Sequence, residues 1–215
     1  MLSLNLTNYI MQISKGMGIT LSVFLVVLIF SIPLGAVVAI LRLSKITFIR
    51  KITEFYIWIL RGTPLLLQII VIFYGLPLVH ITFGRLESVY IAFILNYAAY
   101  FGEIFRSGIQ SIERGQSEAA SILGFTPFQI QTKIILPQVF KRTLPAVGNE
   151  IITLVKDTSL AYIVGTNEIL KLAKGIANRD STLLPYAVAG IMYLTLTYVI
   201  TRLLNALEKR INYEE

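Results

Sequence analysis

Residues 19–41 read ITLSVFLVVLIFSIPLGAVVAIL, an apolar run without a charged side chain. At 1.5 Å per residue it is long enough to cross a hydrocarbon core about 30 Å thick. Pro33 and Gly35 lie inside it, as membrane helices tolerate where neighbouring helices satisfy the freed backbone groups. The run predicts a spanning helix, and the composition agrees. The 215 residues are 55% hydrophobic and 14% charged, with a mean hydropathy of +0.73, too little charge to dress a soluble domain.

Working outward, four more apolar blocks follow, at about 55–79, 88–109, 144–164 and 183–207. The second is interrupted by Arg61-Gly62-Thr63-Pro64, a break that bends it. The third carries Asn96, Glu103 and Arg106, and the fourth Glu150, Lys156 and Asp157. The expected architecture is an all-α membrane protein with five spans in one domain, 1–215. Between spans three and four lies a polar stretch, about 110–142, with too few consecutive apolar residues to cross. A loop over 165–182 separates the last two spans. Ahead of the first, Leu4, Leu6, Tyr9, Ile10 and Ile13 form one face of a short amphipathic helix expected to lie on the membrane. Met1 to Ser14 carries no basic residue and no small-residue cleavage site follows, unlike a cleavable signal.

The net charge of +7 fits basic residues held on the cytoplasmic side better than nucleic-acid binding. With the N-terminus outside, the inner segments hold Arg42, Lys45, Arg50, Lys51, Arg106, Arg114, Lys133, Lys141, Arg142, Arg202, Lys209 and Arg210. The outer segments hold only Lys15, Arg85, Lys171, Lys174 and Arg179. The expected orientation is therefore N-out, C-in. Cysteine is absent and His80, in a short connection, is the single histidine. Disulfides, thiol catalysis, a conventional zinc site and the usual catalytic triads are excluded. No GK[ST] phosphate loop occurs, so the chain itself holds no ATP.

The stretch 118–138 reads EAASILGFTPFQIQTKIILPQ. Glu118, Ala119 and Ala120 open a short helix, Gly124 stops it in the left-handed conformation of a helix end, and Pro127 starts the next turn. This pattern resembles the EAA loop of ABC importer permeases, through Gly124 and Ile134-Ile135-Leu136-Pro137. Four further segments are similar to the polar amino-acid uptake branch: RGTPLLLQ at 61–68, YFGEIFRSGI at 100–109, Gly115-Gln116 before the triplet, and KDTSL at 156–160. The resemblance implies a type I importer fold and a coupling helix that docks on a separate ATP-binding subunit, through Glu118, Ala119, Ala120, Gly124, Phe125 and Pro137. It also implies ATP and magnesium on that partner, a second permease subunit, an extracytoplasmic solute-binding protein, an amino-acid substrate, and the plasma membrane of a prokaryote.

Charged residues inside a span normally face a cavity or a partner. Glu103 and Arg106 are three apart on one helix and can pair. Asp157, Thr158 and Ser159 cluster an anion and two hydroxyls at mid-membrane depth, with Glu150 two turns away on nearly the same face. That set suits a zwitterion, with acceptors for its ammonium and donors for its carboxylate. The acids lean towards a cationic substrate, and a purely structural role for each remains open. Asn96, Tyr97, Tyr100 and Gln68 are candidates for the same wall. An ion-coupled secondary transporter is the alternative, but no inverted repeat is evident.

Overall fold

The computed structural model describes residues 2–212, and side chains over 6–210; among them every regular element is helical. Helix α1 (Leu2–Ser14) runs into α2 (Met17–Arg42), and α3 (Thr47–Gly62) is followed by α4 (Leu65–Ile70). After α4 the chain passes through a π-helical turn and a 3-10 turn to Val79, and α5 (Arg85–Gln110) returns. Short helices α6 (Arg114–Ile122) and α7 (Pro127–Gln129) precede α8 (Leu136–Asp157), which tightens into a 3-10 turn, Thr158–Val164. Helices α9 (Ile169–Asp180) and α10 (Leu184–Asn212) complete the chain.

Helices α2 and α5 form the central pair. Ser22 meets the Tyr90 hydroxyl at 2.7 Å, and Val38 meets Gly102, so the helices run parallel. Their backbones touch at two glycines. A Cβ on Gly35 would lie 2.6 Å from the Phe101 Cβ, and one on Gly102 would lie 2.5 Å from Val38 Cγ1. Such small-residue approach is how membrane helices gain dispersion contact where lipid offers no hydrophobic drive. Helix α8 runs antiparallel to α5, closest where Gly108 meets Thr143. The main core, with Val27, Ile69, Phe93, Phe101 and Leu154, fills the space between α2, α4, α5 and α8.

Among the described residues three helical stretches are long and apolar enough to cross a membrane, Leu6–Arg42, Arg85–Gln110 and Leu184–Arg210; α3 with the stretch up to Val79, bent by 104°, is a fourth if the pair is taken as one span. The sequence reading needs four corrections. First, α1 packs on the protein: Tyr9 and Ile13 are buried against α9 and α10, whereas Leu6 and Ile10 are exposed. The side chain of Leu4 lies outside the described residues. Second, the helix that enters the expected bend starts at Thr47 and not near 55, and it ends at Gly62 because Thr63 and Pro64 are extended. Third, much of 110–142 is helical and continuous with α8, since a π-helical turn over Ile130–Ile135 carries α7 into Leu136. Fourth, 165–182 contains α9, whose Ile169, Ala173 and Ile176 are buried.

Glu168 starts α9. It is fully buried and accepts from the Leu170 N–H at 2.6 Å, the Lys171 N–H, and the Tyr193 hydroxyl at 2.8 Å. Gly16 sits directly on it: a Cβ there would come within 2.6 Å of the Glu168 carbonyl carbon. His80 ends the 3-10 turn after α4 with a left-handed φ of 63° and is exposed.

Candidate functional site

The break at Gly62–Pro64 frees carbonyls that a continuous helix would bond, and buried carbonyls need partners. Gln68 supplies them. Its Nε2 lies 2.9 Å from the Leu60 carbonyl, 3.2 Å from the Thr63 carbonyl and 2.9 Å from Thr63 Oγ1. Asn96, reaching from α5, donates to the Leu60 carbonyl at 2.8 Å and to Gln68 Oε1 at 3.0 Å. Tyr56 donates to the Leu95 carbonyl at 2.6 Å. Together these bonds pin the bend against the middle of α5.

Beside the bend lies a cavity of about 530 Å³. Arg61 and Thr63 line it from the break, Asn96, Tyr97 and Tyr100 from α5, and Glu150, Thr153 and Asp157 from α8. The last three recur at helical spacing and so share one face. Tyr97, almost wholly buried, donates to Asp157 Oδ2 at 2.8 Å. The Arg61 guanidinium stands over the Tyr100 ring, 5.0 Å from its centroid, a cation–π contact. The cavity thus presents two carboxylates, one guanidinium, and amide and hydroxyl groups.

Of the residues expected from sequence, Asp157, Glu150, Asn96, Tyr97 and Tyr100 meet here. Three do not line the cavity. Thr158 is fully buried and donates to the Val155 carbonyl at 2.7 Å, and Ser159 donates to the Lys156 carbonyl at 2.7 Å. The helix tightens there, and carbonyls three residues back take both hydroxyls. Gln68 braces the bend. Arg61, Thr63 and Thr153, which the sequence does not single out for this wall, also line it; the signals for them are the Gly-Thr-Pro break beside Arg61 and the three-residue step from Glu150 to Thr153.

A second cavity, about 520 Å³, continues towards the ends of α5 and α8, sharing Arg61, Tyr100 and Glu150 with the first. Glu103 and Arg106 lie on its wall as a structural pair, with Arg106 Nε donating to Glu103 Oε1 at 2.8 Å.

Within the 118–138 stretch Gly124 and Pro127 act as their residue types predict, but α6 opens at Arg114, after the extended Glu113, and not at Glu118. Helix α6 ends at Gly124, φ +82°, where the Phe125 N–H donates to the Ala120 carbonyl at 3.1 Å. Thr126 caps α7 with Pro127 in its first turn, the Gln129 N–H donating to Thr126 Oγ1 at 3.3 Å. Ala120 is buried on Ile112, Ile130 and Ile135, while Glu118, Ala119, Phe125 and Pro137 are exposed. Ile122, Leu123 and Phe128 are 87%, 76% and 76% exposed, an apolar tip on a polar segment.

The sequence matches the family model described as binding-protein-dependent transport system inner membrane component, over residues 31–213. It is 34% identical to the arginine transport system permease protein ArtQ of Bacillus subtilis (strain 168) over 201 residues, 93% of this chain and 92% of that protein. The L-cystine transport system permease protein TcyB of the same organism is also 34% identical, over 93% of this chain and 86% of its own length. Among solved structures, an amino acid ABC transporter crystallised with histidines superposes with a TM-score of 0.89 at 30% identity, covering 96% of this chain and 97% of that one. The MetNI methionine transporter, at 17% identity and a TM-score of 0.72, covering 93% and 94%, shares the fold.

Proposed function

The chain belongs to the family of inner membrane components of binding-protein-dependent transport systems, as a multi-pass permease subunit of an amino-acid ABC importer in a prokaryotic plasma membrane, and we propose from that premise how it works. It spans five times, N-out and C-in, with α8 as the fourth span despite its charges, because Glu150 and Asp157 face the cavity between helices rather than lipid. Segment α6–α7 docks on a separate ATPase that carries the ATP and magnesium, its exposed Ile122, Leu123 and Phe128 filling an apolar cleft. A second permease subunit closes the open side of the cavity, and an extracytoplasmic solute-binding protein delivers the amino acid. Ion-coupled secondary transport is not favoured by this family.

The observation that carries the substrate assignment is the mixed charge of the upper cavity. Asp157 and Glu150 are placed to take ammonium groups and Arg61 to take a carboxylate, while Tyr97 holds the Asp157 carboxylate in place. Two acids against one base favour a cationic amino acid, in keeping with the arginine permease among the relatives.

Asp157→Asn tests this reading. The amide keeps the size and can still accept from Tyr97, but loses the charge. Hydrogen bonds to charged groups are worth roughly 1.5–3 kcal/mol, so amino-acid affinity should fall about ten- to a hundredfold. ATPase association and basal hydrolysis should stay unchanged. A folded variant that binds arginine as tightly as the parent removes Asp157 from the site.

A further inference from the structure

We propose that the lower cavity is a second, weaker amino-acid subsite on the way to the cytoplasm; this rests on the permease reading above. Both cavities lie along one polar lane between α5 and α8. The upper is walled by residues 96–100 and 150–157, the lower by 100–111 and 142–150, and Arg61, Tyr100 and Glu150 stand at the waist. From Asn96 to Ser111 the lane descends about 22 Å at 1.5 Å per residue. A substrate leaving mid-membrane needs such a polar route.

The chemistry of the lower wall again fits a zwitterion. It offers Glu103 and Glu150 to an ammonium group, and Arg106, Arg142, Ser107 and Ser111 to a carboxylate. Beyond the shared Arg61 and Glu150, its charges are already bound by one another, by Gln110 or by the backbone. Arg106 is held by Glu103 and Gln110, and Arg142 donates to the Ser111 carbonyl at 2.6 Å. A ligand must exchange for these partners, so it gains only the difference between two sets of bonds. Weak binding follows, and weak binding suits a release site.

Ser107 is exposed on the lower cavity and lines only that one, and the chain has no native cysteine. Ser107→Cys, modified after assembly with a bulky methanethiosulfonate, therefore fills the subsite without burdening folding. Binding of radiolabelled arginine is measured on the assembled transporter in nanodiscs, alongside turnover. The parent should show two classes of sites differing at least about tenfold in affinity. Modification should abolish the weaker class and slow turnover several-fold, leaving the tighter class unchanged, and millimolar arginine should slow modification. Asp157→Asn should do the reverse, weakening the tight class and keeping the loose one. A single class in the parent, or modification that alters neither binding nor turnover, overturns the subsite. If that single class is weakened by Asp157→Asn, the proposed function stands without it. If the parent binds no arginine and no other amino acid, both readings fall.

Discussion

The contact between α2 and α5 allows a quantitative test. In Gly102→Ala the new methyl would sit 2.5 Å from Val38 Cγ1, 2.9 Å from Val38 Cβ and 3.3 Å from the Gly35 carbonyl oxygen. Carbon atoms in good contact stand about 3.5–4.0 Å apart, so the helices must separate by about 1 Å or Val38 must move. Val38 is β-branched and stiff at χ1, and it is 6% exposed, so neither adjustment is free. Overpacking of this kind costs about 1–3 kcal/mol. Val38→Ala alone removes two buried methyl groups at about 0.8 kcal/mol each, but in the double variant one of them is the Cγ1 of the 2.5 Å clash, leaving only the milder Cβ approach at 2.9 Å. The two changes should therefore couple by about 1 kcal/mol or more, the double variant being more stable than the sum of the singles. The assay is an equilibrium denaturation of the purified permease in mixed micelles, read by far-UV circular dichroism across all four proteins. Additive losses, or a Gly102→Ala midpoint equal to the parent's, would refute the close approach.

Three further outcomes are expected. Gly124→Asp should leave the chain inserted but weaken ATPase association and abolish transport; Gly124→Ala, with the greater strain at φ +82° but no charge, should be milder, and the opposite order would place the defect in the turn rather than in the docking cleft. Single cysteines at Gln116 and Thr132 should label only from the cytoplasmic side and one at Ser181 only from outside, so outside labelling at 116 would overturn the orientation and the docking role together. Gln68→Leu should lower stability by about 1–3 kcal/mol, because it strips partners from the Leu60 and Thr63 carbonyls; a loss confined to substrate affinity would instead make Gln68 a ligand contact.

The sequence makes some of this molecule plain and hides the rest for physical reasons. The runs centred on α2, α5 and α10 are apolar enough to be read at sight, and the Gly-Thr-Pro break announces the bend. Helix α8 is harder. Its first turns at Leu136 carry Lys141 and Arg142, so an apolarity criterion starts it late at 144, although backbone bonding is indifferent to that polarity. Helix α9 is short and carries Lys171, Lys174 and Arg179; its buried Ile169, Ala173 and Ile176 repeat at helical spacing but are too few to stand out from a loop. At the site, helical spacing brings Glu150 and Asp157 to one face, and the structure sets them there. Thr158 and Ser159 went astray because position within a helix does not reveal a local tightening, which turns short hydroxyls back onto their own chain. Arg61 does not stand out in the sequence as a cavity residue because the cavity beside it exists only once the bend has been folded against α5.

The run from Tyr97 to Ala120 has a mechanical consequence. Helix α5 ends at Gln110 and α6 begins at Arg114, with an extended Glu113 between them, so a joint of three residues separates the cavity wall from the exposed 118–138 stretch. Ala120 is seated in a buried patch with Ile112, Ile130 and Ile135, and Arg142 of α8 clasps the Ser111 carbonyl at the end of α5. Those contacts brace the joint from both sides. A thrust on α6 would therefore load α5 and α8 together, the two helices that Tyr97 and Asp157 tie at the cavity.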